Sequence, residues 1–219
     1  MFDQSPEGTE PHAALMDDTY RYQRLFYDVT RKYYLFGRDH LIAAMAPPAG
    51  AHVLEVACGT GRNLQLVARR YPQCQVYGLD ISAQMLISAR AKLGESAKLC
   101  EADACDFDPA LLFDQPQFDR IFISYGISMI PDWQGALRMA YSQLAPGGEL
   151  HVVDFADQSG WPAWFARLLR RWLQKFHVTP RMELAAELHQ IAADTGAEAQ
   201  HQLLYRGYAQ YGVLRRPEA

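Results

Sequence analysis

The 219-residue chain has only four cysteines, Cys58, Cys74, Cys100 and Cys105, and none forms a C-x-x-C pair or stands beside a histidine cluster. That argues against a zinc site and against a disulfide framework, and predicts reduced thiols with no metal. No apolar run is long enough to cross a bilayer. The opening residues, Met1-Phe2-Asp3-Gln4-Ser5-Pro6-Glu7, are acidic and lack the apolar core of a secretion signal, so a cytoplasmic location is expected. Lysine-rich stripes are missing and the net charge is −4, which speaks against a nucleic-acid partner. No internal repeat and no low-complexity linker breaks the chain. Its length and its 49% hydrophobic content suit one sizeable core.

What the sequence does contain is centred on Val53-Leu54-Glu55-Val56-Ala57-Cys58-Gly59-Thr60-Gly61-Arg62-Asn63-Leu64. Val53, Leu54 and Val56 supply the apolar run of a strand covered on both faces. Gly59 and Gly61 carry no Cβ, so the backbone can approach a ligand closely. Helical spacing follows from Arg62 to Arg70, and Pro72 ends it. Such a turn at the carboxyl end of a first strand is a nucleotide-type site. A dinucleotide fingerprint needs a third glycine three residues after the second, and that position is Leu64. Glu55 suits a cationic ligand with an amino-acid tail better than a pyrophosphate.

Further strands are expected at Gln75–Asp80, Lys98–Glu101, Asp119–Tyr125 and Glu149–Phe155, the last after a Pro146-Gly147-Gly148 turn. Helices are expected at 83–93, with Ser82 as N-cap and Gly94 closing it, and at 133–144, 161–176 and 182–194. The tail, Gln200–Tyr205 and Tyr208–Leu214 joined by Arg206-Gly207, reads as an antiparallel hairpin at the sheet edge. The alternation predicts an α/β, doubly wound, mostly parallel sheet. Residues 1–16 are polar and expected to be a disordered tail, with a single domain over 17–219. Within it, 17–46 are expected to form helices over the site, 51–155 the core, and 156–219 further helices and the edge hairpin. Asp80 closes the second strand, where a carboxylate can accept both hydroxyls of a ribose. Asp103, after the third strand, could accept from an adenine amine.

The run hydrophobic-hydrophobic-Glu-x-Ala-Cys-Gly-Thr-Gly resembles motif I of the class I S-adenosylmethionine-dependent methyltransferases, with Ala57 where glycine is commonest. The resemblance implies a seven-stranded Rossmann-like sheet and S-adenosylmethionine as cofactor, released as S-adenosylhomocysteine. It makes Glu55, Ala57, Gly59, Gly61, Asp80 and Asp103 cofactor-binding residues. It gives Ala104 a backbone N–H to the adenine, sets Ile81 and Met85 on the ring, and places Ser124 and Tyr125 on the methionine side. Tyr27-Asp28, followed by Gly37, is similar to an N-terminal signature of small-molecule methyltransferases. There a tyrosine covers the methionine and a basic residue reaches its carboxylate; Tyr33 and Arg38 are the candidates here.

Tyrosine faces also suit a substrate that becomes a methylated ammonium. Tyr20 to Ile42, Phe118-Asp119-Arg120-Ile121, Ser128 to Trp133 and Phe176-His177-Val178-Thr179-Pro180-Arg181 resemble the betaine-lipid N-methyltransferases, which methylate the amine of diacylglyceryl-homoserine. Bacterial phosphatidylethanolamine N-methyltransferases resemble the chain less closely. On this resemblance the acceptor is a polar-lipid amine, and a partner enzyme supplies the lipid. Tyr27, Tyr125 and Asp154 are candidate catalytic residues, and His177 and Arg181 candidates for an anionic head group. The helix Trp161–Phe176 carries a stripe of Trp161, Trp164, Phe165, Leu168, Leu169, Trp172 and Phe176, with Arg167, Arg170, Arg171 and Lys175 mostly off it. That pattern suits peripheral contact with a membrane surface, and equally a helix that packs on the domain or covers the pocket. A methyltransferase for a soluble small molecule, or a cofactor-binding partner subunit without catalysis, are the other readings.

Overall fold

The structure, a computed structural model, describes residues 35–176 and 178–218. Helix α1 (Arg38–Met45) leads into β1 (His52–Val56), α2 (Arg62–Arg70), β2 (Gln75–Asp80), α3 (Ala83–Leu93) and β3 (Lys98–Glu101). There follow α4 (Pro109–Phe113), β4 (Phe118–Ser124), α5 (Trp133–Ser142), β5 (Leu144–Phe155), α6 (Ala163–Gln174), α7 (Leu184–Thr195), β6 (Glu198–Leu204) and β7 (Ala209–Arg215). The strands form one seven-stranded sheet in the order β3-β2-β1-β4-β5-β7-β6. β1 to β5 pair in parallel, whereas β7 runs antiparallel to both β5 and β6. This is the doubly wound, mostly parallel, seven-stranded α/β sheet that the alternation predicts, with the expected hairpin at one edge.

Two apolar layers hold the sheet between helices. Leu54, Val56, Ile121, Ile123, Leu150 and Val152 face one layer together with Leu137 of α5 and Leu188 of α7. Val53, Phe122 and Val153 alternate onto the other, with Leu64, Leu86 and Leu41 from α2, α3 and α1. A period of two along each strand sorts the side chains between the layers. The chemistry-bearing side chains are therefore sorted too.

Local chemistry accounts for the helix ends. The Ser82 hydroxyl accepts from the Met85 N–H at 3.4 Å, and Gly94 (φ 53°) ends α3. The short α4 is absent from the sequence expectation, yet its signal was present: Asp108 accepts from the Ala110 N–H at 2.9 Å, and Pro109 stands at the first turn. Strand β5 begins five residues earlier than expected, at Leu144, and α5 ends at Ser142. The register jumps from Phe118↔Leu144 to Arg120↔Glu149, so Pro146-Gly147-Gly148 form an outward bulge within the strand, with Gly147 at φ 71°.

Helix α6 also differs from expectation. Ala166, Leu169 and Leu173 form its buried line, with Trp161, Phe165 and Trp172 half-buried beside it. Trp164 and Leu168 belong to the outer face, alongside Arg167, Arg171 and Lys175. A stripe of seven side chains spans too wide an arc to be buried against one sheet end, and packing chose its centre. Among the described residues no helix is long and apolar enough to cross a membrane.

Candidate functional site

The carboxyl ends of β1, β2 and β4 bring Glu55, Asp80 and Ser124 onto the same face of the sheet, beneath α1 and α2. All three are buried, Glu55 to 1% exposure. Glu55 Oε1 accepts from Asn63 Nδ2 at 2.7 Å, a bond that reaches from β1 to the first turn of α2. Asn63 was not singled out by sequence; the one signal was its place three residues after Thr60 in the glycine turn.

Asp80 shapes that turn. Its Oδ2 accepts from the Gly59 N–H at 2.7 Å and its Oδ1 from the Ser82 N–H at 2.9 Å. One carboxylate thus joins the β1–α2 turn to the start of α3. Lys92 Nζ adds a second tie, donating to the Thr60 carbonyl at 2.8 Å and to its hydroxyl at 3.2 Å. Gly61 has φ 72°, and a Cβ there would lie 2.7 Å from Leu93 Cδ1, so only glycine lets α2 and α3 approach this closely.

A small cavity of about 40 Å³ opens here, lined by residues that include Arg38, Glu55, Cys58, Arg62, Asn63 and Ser124. Arg62 Nη1, Asn63 Oδ1 and Ser124 Oγ are buried without a hydrogen-bond partner among the described residues. Each such atom costs about 1–3 kcal/mol if nothing answers it. Together they offer a donor, an acceptor and a hydroxyl to one small space. Arg38 is itself buried, its Nε on the Leu35 carbonyl at 3.1 Å. The Cys58 thiol is held well above its ordinary pKa by burial, and then by the charges of Asp80 and Glu55.

Outside the cavity, Asp103 Oδ1 accepts from the Cys105 N–H at 2.8 Å, which fixes the loop after β3. Ala104 is buried beside it. Ile81 is partly exposed at the end of β2, and Met85 is buried in the first turn of α3. The loops after β1 and β4 share an unusual backbone: Ala57 at φ 58° and Tyr125 at φ 57° are both left-handed. Each costs about 1–2 kcal/mol for a residue with a Cβ. Such strain gathers where a chain must turn sharply at a site.

The remaining candidates separate. The Tyr125 ring is buried against Phe155, its hydroxyl donates to the Phe36 carbonyl, and burial pushes its pKa up. Asp154 lies on the opposite face of the sheet from Ser124. Its oxygens accept from the Ser128 N–H at 3.0 Å and the Phe155 N–H at 2.7 Å, and burial raises its pKa to about 6. Arg181 donates from Nε to the Ile127 carbonyl at 3.1 Å and from Nη2 to the Ile130 carbonyl at 2.8 Å. Asp154 and Arg181 thus both hold the loop after β4. Tyr27, Tyr33 and His177 lie outside the described residues. Among the described residues no group of three or more His, Cys, Asp and Glu side chains converges as a metal ion needs.

Residues 53–148 match the family model described as a methyltransferase domain. The chain is 32% identical over 164 residues to trans-aconitate 2-methyltransferase of Acidovorax sp. (strain JS42), covering 75% of this chain and 59% of that one. It is 30% identical over 148 residues to demethylmenaquinone methyltransferase of Listeria welshimeri, covering 65% and 61%. It spans about three fifths of the length of these curated relatives. Haemonchus contortus phosphoethanolamine N-methyltransferase 2, solved with S-adenosyl-L-methionine, superposes with a TM-score of 0.64 at 16% identity, over 83% of this chain and 52% of that one. At that identity the likeness is one of fold.

Proposed function

We propose that the protein is an S-adenosylmethionine-dependent methyltransferase, with the cofactor lying across the carboxyl ends of β1, β2 and β3. The observation that carries this is the set of buried polar atoms at the β1–α2 turn. Arg62 Nη1, Asn63 Oδ1 and Ser124 Oγ, unmet among the described residues, surround a space for an amino-acid tail beside the buried Glu55. Glu55, oriented by Asn63, takes the ammonium of the tail, and Arg38 with Arg62 its carboxylate. Asp80 holds the ribose hydroxyls, Asp103 the adenine amine and the Ala104 N–H a ring nitrogen, with Ile81 and Met85 against the ring. When bound, S-adenosylmethionine supplies a methyl group on an already activated sulfonium. The chain's task is then to hold the acceptor in line and exclude water.

The acceptor is the amine of a polar lipid, of the betaine-lipid or phosphatidylethanolamine type. This finer reading is supported by the tyrosine- and arginine-rich segment before α1, and by α6 beside the cofactor end of the sheet. An amine must lose a proton before attack. Asp154 and Tyr125 are both buried and committed to backbone groups, so we assign them to positioning the loop after β4. Tyr27 is kept as the proton acceptor and Tyr33 as a cover for the methionine moiety. His177 is the candidate for an anionic head group, and Arg181, whose Nε and Nη2 already hold the Ile127 and Ile130 carbonyls, can add only its Nη1. The names of the relatives support a second reading, methylation of a small organic acid or a quinone precursor.

The test is methyl-labelled S-adenosylmethionine incubated with the protein and a membrane-containing lysate, followed by phase partition. Label in polar lipid of the organic phase is the expected result. Label confined to the aqueous phase or to a quinone removes the lipid-amine reading. No label in any product, together with no binding of S-adenosylhomocysteine, removes the methyltransferase reading.

A further inference from the structure

We infer that the outer face of α6 docks the protein on a bilayer surface that carries anionic phospholipid. Trp164, Arg167, Leu168, Arg171 and Lys175 recur at i, i+3, i+4, i+7 and i+11, and all five are exposed. Trp164 and Leu168 are 64% and 62% exposed, far more than residues of their type in a packed domain. They stand on the same face as three cations, and no acid occurs between Gln158 and Met182. Arg170 is not part of this face, since its Nη2 donates to the Asp157 carbonyl at 2.7 Å.

Charge selects the occupant. A second copy placed face to face would bring two sets of three cations together with no acid between them. A nucleic acid would leave Trp164 and Leu168 without apolar cover. An anionic bilayer answers both components: headgroups meet the guanidinium and ammonium groups, and the indole and leucine enter the acyl boundary.

The face is also continuous with the candidate site. Ring contacts run from Trp164 to Phe165 at 6.0 Å, on to Trp161 at 4.7 Å, then Tyr208 at 6.0 Å and Phe36 at 4.9 Å. Phe36 is 43% exposed, and its carbonyl receives the Tyr125 hydroxyl at the end of β4. An aromatic path thus joins the docking face to the lip of the site. The inference deepens the lipid-amine reading and rests on it only for its purpose, because docking is measured without methyl transfer.

The experiment is co-sedimentation of the full chain with vesicles of phosphatidylcholine alone, and of phosphatidylcholine mixed with phosphatidylglycerol. Binding is expected to the mixed vesicles only, and to weaken as salt is added. Each cation at an anionic surface multiplies partitioning about fivefold, so R167Q/R171Q/K175Q should lower it about a hundredfold. W164Q/L168Q should weaken it as well. These positions are exposed, so both variants should fold and keep S-adenosylhomocysteine affinity. R69Q/R70Q, which removes two cations from α2, should bind as the wild type does.

A wild type that stays in the supernatant, or that sediments equally with both vesicles, overturns the inference. So does a triple glutamine variant that sediments like the wild type. Self-association that W164Q/L168Q abolishes, without vesicle binding, assigns the face to a contact between copies and overturns it too. Vesicle binding without label transfer to any lipid leaves docking standing and removes the lipid-amine reading instead.

Discussion

At the scale of single residues, the β1–α2 turn is held by few groups with separable tasks. Arg62→Gln keeps a donor but removes the charge. S-adenosylhomocysteine should bind this variant about ten- to a hundredfold more weakly, the usual worth of a charge-assisted bond. Methylthioadenosine, which lacks the amino-acid tail, should bind it as well as it binds the wild type. Calorimetric titration of both ligands checks this, and equal loss for the two would place Arg62 away from the tail. Asp80 is a different case. Because its carboxylate accepts from the N–H groups of both Gly59 and Ser82, removing it disturbs the turn as well as the ribose site. Asp80→Asn should therefore lose cofactor affinity and lower the melting temperature by several degrees. A melting temperature unchanged from the wild type would mean that the two backbone bonds contribute little.

Among elements, β2 lies in close contact with α2 and β3. A Cβ on Gly78 would lie 2.5 Å from Leu64 Cδ1, 2.9 Å from Leu99 Cδ2 and 3.0 Å from Cys58 Sγ. Gly78→Ala should cost about 1–3 kcal/mol by overpacking, measured by urea denaturation. A neutral result would show that α2 can shift outward freely. The strand–helix alternation, the Ser82 cap and the edge hairpin were legible in the sequence because each depends on local pattern. The early start of β5 was not, since the Leu144 pairing with Phe118 is made across 26 residues and skips the bulge. Nor was the rotation of α6, where periodicity marked a wide apolar arc and only packing selects its centre. Glu55, Asp80 and Ser124 could be read as strand-end residues, and the period of two then gives their shared face. The same count puts Asp154 on the other face, a consequence visible only once the neighbouring strands are known.

For the molecule as a whole, the end of the sheet away from the site carries an ion cluster that sets its acid stability. Glu149 is held at about 2, first by its bond to His151, then by Arg120 and Arg215 against the opposing cost of burial. Burial keeps His151 neutral, so its Nε2–H donates to Glu149 at 3.1 Å while Nδ1 accepts the Tyr211 hydroxyl at 2.7 Å. A carboxyl lowered from 4.5 to about 2 contributes stability that is full above pH 4.5 and lost as pH falls toward 2. That contribution is about 3 kcal/mol. Glu149→Gln should destabilise the protein near neutrality by a similar amount and flatten its stability between those two pH values. Denaturant titrations across that range check the slope. Asp154 works in the opposite sense: with its pKa raised to about 6, its favourable contribution is complete below the ordinary 3.8 and lost as pH rises through 6. Cys58, sealed in the turn between Asp80 and Glu55, reacts with an alkylating agent only as a thiolate, so only when that turn opens. Its half-life under iodoacetamide is then a clock for the opening, and any molecule that fills the cavity should slow it, whatever its chemistry.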